Sequence, residues 1–184
     1  MQVVKTKGTV MGNRPADRLA LLSLHPKHAD AIIKGTKKVE FRKRPLAPDI
    51  TCVVIYATSP VGRVVAVFSI KEQVIGTPQR LWRTYRGEAG GSRAQFLAYY
   101  DGRSEGFGIR IGKIVSLAEP LSLRDAFGIR RPPQSVQYFT EREAKPKLAR
   151  ALARAYQPGT ETESANQARL RRQAALRSRV HRVR

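Results

Sequence analysis

The chain has 184 residues, 41% of them hydrophobic, and its 35 Lys and Arg against 14 Asp and Glu leave a formal charge of +21. That length holds one core of ordinary size plus a tail, not two full domains, and no apolar run approaches the roughly 18 residues of a membrane helix. The charge excess favours a polyanionic partner, most often nucleic acid, over an anionic membrane surface or mere compositional bias. The single Cys52 excludes an internal disulfide, and with no secretory pattern in view a reducing cytoplasm is expected.

Residues 1–18 show no periodicity and read as a loose lead-in. The apolar run 19–24 suits a central strand. Pro26 sits where a first helical turn tolerates proline, Ala29, Ile32 and Ile33 share a face, and Gly35 ends that helix. His25 and His28 bracket this start; no second pair completes a metal set, so they read as surface histidines, and neither metal nor cofactor is expected. Strands follow at about 37–42, 52–57 and 63–70, with Thr58-Ser59-Pro60 as a turn between the last two.

The period then lengthens. Thr77-Pro78 opens a helix placing Leu81, Trp82 and Tyr85 on one face, and Ser92 opens another with Phe96, Leu97 and Tyr100. Helical spacing assigns these aromatics to the core before a base-stacking platform. Phe107, Ile109 and Ile111 alternate as in a half-buried strand, and residues 114–117 either extend it or pair as the next. Strand, helix, strands, two helices, strands is not the alternation of a parallel sheet. It indicates an α+β fold, a small barrel or curled sheet of about five to six strands with inserted helices. Residues 141–156 read as a basic helix. The segment 157–184, with seven arginines and no acid after residue 163, cannot build a core and reads as a tail that is disordered when unbound.

The densest folded charge is KGTKKVEFRKR at 34–44, where six of eleven residues are cationic. In an extended chain Val39 and Phe41 take the core face, and Lys38, Glu40 and Arg42 the other. That second face is either a solvated row in which Glu40 pairs Arg42 and Lys38, or the wall of a cleft. In a cleft, Lys37, Lys38, Lys43 and Arg44 meet phosphates, Arg42 forks onto phosphate or stacks on a base, and Glu40 accepts from a base amino group. Thr58 and Ser59 offer hydroxyls and amides at a strand end.

Gly35, Lys37, Glu40 and Arg42 match the G-x-K-x-x-E-x-R signature of the ASCH family. The flanking segments His25–Lys34 and Val54–Pro60 resemble it too, as does Pro132-Pro133-Gln134-Ser135 with Tyr138, so the resemblance spans residues 19–140. It implies a PUA-like β-barrel with a cleft beside the signature strand and a partner that is RNA or a nucleotide. Some relatives are amidohydrolases of acetylated cytidine and a few are nucleases. If this chain is an enzyme, Lys37 and Glu40 are its proton-handling pair, and the resemblance implies Glu88 as the nearest counterpart of a glutamate in the amidohydrolases' helical insertion. The amidohydrolases carry Thr where this chain has Glu40, which separates it from that activity. Three functions therefore stand: an RNA- or nucleotide-binding module, a hydrolase of modified nucleosides or RNA phosphodiesters, and a duplex-DNA-binding regulator. The third lacks a helix-turn-helix pattern. In each, Arg169, Arg171 and Arg172 of the tail add phosphate affinity without sequence preference. The oligomeric state has no signature.

Overall fold

The computed structural model describes residues 2–4 and 18–155. In chain order these form β1 (Gln2–Val4), β2 (Arg18–Leu24), α1 (Pro26–Ile33), β3 (Val39–Arg42), β4 (Cys52–Ala57), β5 (Arg63–Gly76), α2 (Pro78–Tyr85), α3 (Arg93–Tyr99), β6 (Gly106–Leu121), α4 (Leu123–Phe127), β7 (Val136–Thr140) and α5 (Pro146–Ala155). No helix among the described residues is long and apolar enough to cross a membrane.

All seven strands join one sheet in the order β3-β6-β5-β4-β2-β7, with β1 on β5. The β2–β4 pair is parallel and the other pairs are antiparallel. The architecture is the expected α+β fold, with the sheet curled and not closed into a barrel. Register shifts along β5 and β6 bend it, and no ladder joins β3 to β7 among the described residues. A side chain spans the gap instead, where Arg42 Nη2 donates to Ser135 Oγ.

Alternation along β2 sorts the core. Leu19 and Leu21 face α4 and α5 in one cluster, while Ala20, Leu22 and Leu24 join Ala29 and Ile32 of α1 in a second. A third cluster packs Val39 and Phe41 under Leu81, Tyr85 and Phe96 of the inserted helices and Tyr100 just after α3. The core-first assignment thus holds for these three aromatics.

Four features differ from the sequence-based expectation. Residues 2–4, read as loose lead-in, pair with β5; three residues are too few to display a period. The strands at 63–70 and 107–117 run to Gly76 and Leu121, because two long partners support each other beyond their apolar stretches. α4 is short and capped by Ser122. The helix expected over 141–156 is divided: Glu141–Glu143 form a 3-10 turn closed by a Thr140–Glu143 capping box, and α5 restarts at Pro146, whose ring disfavours helix at Lys145. α5 then buries Leu148 and Leu152 in the first cluster.

Candidate nucleotide site beside the signature strand

The end of β2, the start of α1, β3 and the α2–α3 insertion enclose a cavity of about 430 Å³. Local sequence sets each wall. His25 caps α1 by accepting from Lys27 N through Nδ1 at 3.3 Å, and Pro26 takes the first position, where a missing N–H costs nothing. Gly35, at φ +74°, turns the chain out of α1, and Lys37 N returns to the Ala31 carbonyl at 3.0 Å. The Tyr100 hydroxyl lies 3.0 Å from the carbonyl of Arg42 and 3.1 Å from that of Phe107, pinning the end of β3 to β6. Burial pushes its phenol far up, so it remains a donor.

The signature strand does not present a solvated charged face. Lys37 and Glu40 are 5% and 6% exposed, and Lys37 Nζ lies 3.5 Å from Glu40 Oε2. The ammonium also donates to the Ala89 carbonyl at 2.9 Å and sits 5.3 Å from the Phe41 ring centroid. Glu40 therefore pairs with Lys37, three residues back, and not with Lys38 or Arg42 as the solvated alternative required. Phe41 packs edge-to-face on Phe96 at 4.8 Å. Gly90, at φ +67°, lies against the Lys37 stem so closely that a Cβ there would come within 2.9 Å of Lys37 Cβ.

Of the residues singled out from sequence, Lys37, Glu40 and Arg42 line the cavity together. Lys38 is exposed outside it, its backbone tied to Glu88 and Ile111. Lys43 reaches the rim, where its Nζ stands 5.1 Å over the Tyr99 ring, and Arg44 is exposed. Thr58 sits behind the wall with its N–H on the Leu24 carbonyl, and Ser59 is exposed; neither lines the cavity. Glu88 turns away as well. Its Oε2 is buried without a hydrogen bond, 3.8 Å from Arg110, which itself binds Glu72. Arg169, Arg171 and Arg172 lie outside the described residues.

The cavity adds groups that sequence reasoning did not assign. Trp82 and Tyr99 stand on its wall, as do Gln95, Lys27 and both histidines. His28 is half-buried and not a surface residue. Burial, then the charges of Lys37, Lys27 and His25, hold its imidazole down to about 4, so it is neutral at neutral pH. The sequence marked the start of α1, but only the curl of the sheet, which brings the end of β2 and the non-adjacent β3 to one cavity, aims that start into it.

No family model matches this sequence. An ASCH domain-containing ribonuclease of Zymomonas mobilis is 33% identical over 141 residues, covering 73% of this chain and 93% of that protein. The chain belongs to the ASCH domain family. A crystal structure of ASCH from Zymomonas mobilis superposes on it with a TM-score of 0.63 at 31% identity, covering 68% of this chain and 90% of that one. A serine-to-alanine variant of that protein gives 0.63 at 28% identity over 76% and 97%. In this ASCH domain the signature runs from the turn after α1 into β3 and directs three of its four residues to a single hollow: Gly35 shapes the approach, Lys37 before the strand and Glu40 and Arg42 on it line the wall.

Proposed function

We propose that this ASCH domain binds single-stranded RNA, seating one unpaired nucleotide in the cavity beside β3. The observation that carries this is the buried Lys37–Glu40 pair set in a wall shared with Trp82, Phe96 and Tyr99. A neighbouring donor and acceptor suit the edge of a base, and ring faces suit its plane. The volume falls within the roughly 300–1,000 Å³ of small-ligand sites. Arg42 at the mouth and Lys43 on the rim supply phosphate contacts, and the tail arginines, Arg169, Arg171 and Arg172 among them, add affinity that salt screens.

A second reading, cleavage of the RNA at the same cavity, is favoured by the 33% identical relative named a ribonuclease. In that case Lys37 and Glu40 handle protons or charge at the reacting phosphate. Glu88, facing Arg110, contributes only if the insertion rearranges. Deacylation of acetylated cytidine is disfavoured, since this chain has Glu40 where those amidohydrolases carry threonine.

The test uses a labelled single-stranded RNA, its duplex and a duplex DNA, with anisotropy for binding and a denaturing gel for cleavage. Single-stranded RNA should bind most tightly, and Arg42→Ala should weaken it about tenfold, the loss of one good charged contact. Removing residues 157–184 should flatten the salt dependence. Equal binding of duplex DNA, unaffected by Arg42→Ala, overturns the proposal. Cleavage that disappears in Lys37→Ala establishes the second reading.

A further inference from the structure

The α1 end of the cavity has a charge imbalance that the protein does not resolve. Lys27, His28 and Lys37 meet there, with Arg42 further along β3. The one lining carboxylate among the described residues, Glu40, is already engaged by Lys37 at 3.5 Å. The helix amides are engaged as well: Lys27 N is met by His25 Nδ1, and His28 N and Ala29 N by the His25 carbonyl. An anion would therefore be held by side chains and not by the helix end.

His28 registers the imbalance. Its Nδ1 is enclosed without a hydrogen-bond partner, which leaves Nε2 as the nitrogen to meet a ligand. The titratable and charged groups that line the cavity with the ring are Lys27 and His25 from the start of its own helix, Lys37, Glu40 and Arg42 from the signature segment, and Tyr99 from α3; of these Lys37, Lys27 and His25 act on it most. From β2 the polar lining group is the uncharged Ser23. Burial and the surrounding cations keep the proton off. An entering anion leaves the burial in place but offsets the cations and favours the charged ring. One negative charge about 4 Å away, at an effective dielectric of about 20, moves such a titration by roughly three pH units.

We propose that the α1 end of the cavity is a phosphate subsite walled by Lys27, His28 and Lys37, in which His28 takes up a proton from solvent as the anion enters. It rests on the RNA reading only for the source of the phosphate; the recognition chemistry is that of any tetrahedral oxyanion. Binding is then proton-coupled, and affinity rises as pH falls.

Sulfate is the first probe, because it does not change charge between pH 5 and 8 as phosphate does. Histidine ring signals are followed by NMR in the full chain with and without saturating sulfate. His28 should titrate below about pH 5 in the free protein and above about pH 6 with sulfate bound. Sulfate affinity should improve up to about tenfold for each pH unit lowered across that window. His28→Gln should abolish the slope, and an unchanged melting temperature at pH 7 separates this from unfolding. Sulfate that binds without moving His28, no sulfate binding at His28 at all, or a slope that survives in His28→Gln overturns the subsite. Two further arms identify the source. A short single-stranded RNA that shifts His28 makes the backbone phosphate the ligand, and a shift with a nucleoside 5′-monophosphate alone makes it a free nucleotide. A bound RNA that leaves His28 unmoved sinks the subsite but keeps the RNA reading. A sulfate effect without RNA binding does the reverse.

Discussion

The Lys37–Glu40 pair offers the sharpest test of what the cavity wall is for. Both side chains are under a tenth exposed, at 6% and 8%, so removing either partner leaves a buried charge uncompensated, at a typical cost of about 3–5 kcal/mol. Glu40→Leu should fall at the low end, about 3 kcal/mol, because Lys37 Nζ keeps the Ala89 carbonyl at 2.9 Å. Lys37→Met should cost about 4–5 kcal/mol, since it strands both the carboxylate and that carbonyl. The double variant Lys37→Met/Glu40→Leu fills the same space with apolar atoms and should return to within about 1 kcal/mol of wild type, as such replacements commonly do. Urea unfolding at pH 7, followed through the fluorescence of Trp82 (the chain's one tryptophan, on the cavity wall), gives all four corners of the cycle. RNA binding should vanish in the double variant while its stability recovers. Losses that simply add would show two charges that do not depend on each other, and the argument for a coupled, ligand-directed pair would fail.

Other perturbations separate scaffold from site. Phe41→Ala should cost about 3–5 kcal/mol, given a ring only 7% exposed, whereas Arg42→Ala should change stability by less than about 1 kcal/mol and still weaken RNA binding; thermal melts and anisotropy decide. Gly90→Ala should cost about 1–2 kcal/mol for its left-handed backbone and also reduce RNA affinity by pushing the Lys37 stem, although Gly90 does not line the cavity. His28 governs an acid limb. Its folded value of about 4 lies below the ordinary 6.5, so the unfolded chain binds the proton more readily, and stability is full above about pH 6.5 and declines toward pH 4. The full shift corresponds to about 3 kcal/mol, which the partial solvent access of the ring reduces to about 1–2 kcal/mol. Melting curves of His28→Gln should lack that part of the decline.

Much of this was readable from residues, and the remainder was unreadable for definite reasons. The runs 19–24 and 52–57 announced buried strands, Thr77 and Ser92 announced helix caps, and the signature spacing located the wall. What local pattern does not carry is pairing. Nothing within KGTKKVEFRKR tells whether Glu40 reaches forward to Arg42 or back to Lys37; the insertion, by covering the strand and offering Ala89, decides it. His28 was misplaced for the same reason, since exposure at a helix start depends on what the preceding strand abuts. Glu88 is near Lys37 along the backbone, through Lys38 N on its carbonyl, yet its carboxylate turns to Arg110. Proximity in the chain trace was legible there and side-chain direction was not.

The insertion that completes the cavity leaves and re-enters the sheet at a single point. Gly76, the last residue of β5, is the register partner of Gly106, the first of β6, so residues 77–105 form an excursion from a hairpin that would close without it. The β5–β6 ladder closes at that pair whatever lies between, but three residues of the excursion are anchors: Tyr100 holds the end of β3, Ala89 the Lys37 ammonium and Phe96 the Phe41 ring. Trp82, Gln95 and Tyr99 can drift, and with them the preference proposed for the cavity, while those three anchors keep β3 and its buried pair in place. The domain is partitioned like a tool with a permanent handle and an exchangeable jaw, and grafting residues 77–105 between two such chains, with Ala89, Phe96 and Tyr100 kept, should carry preference across without disturbing the fold.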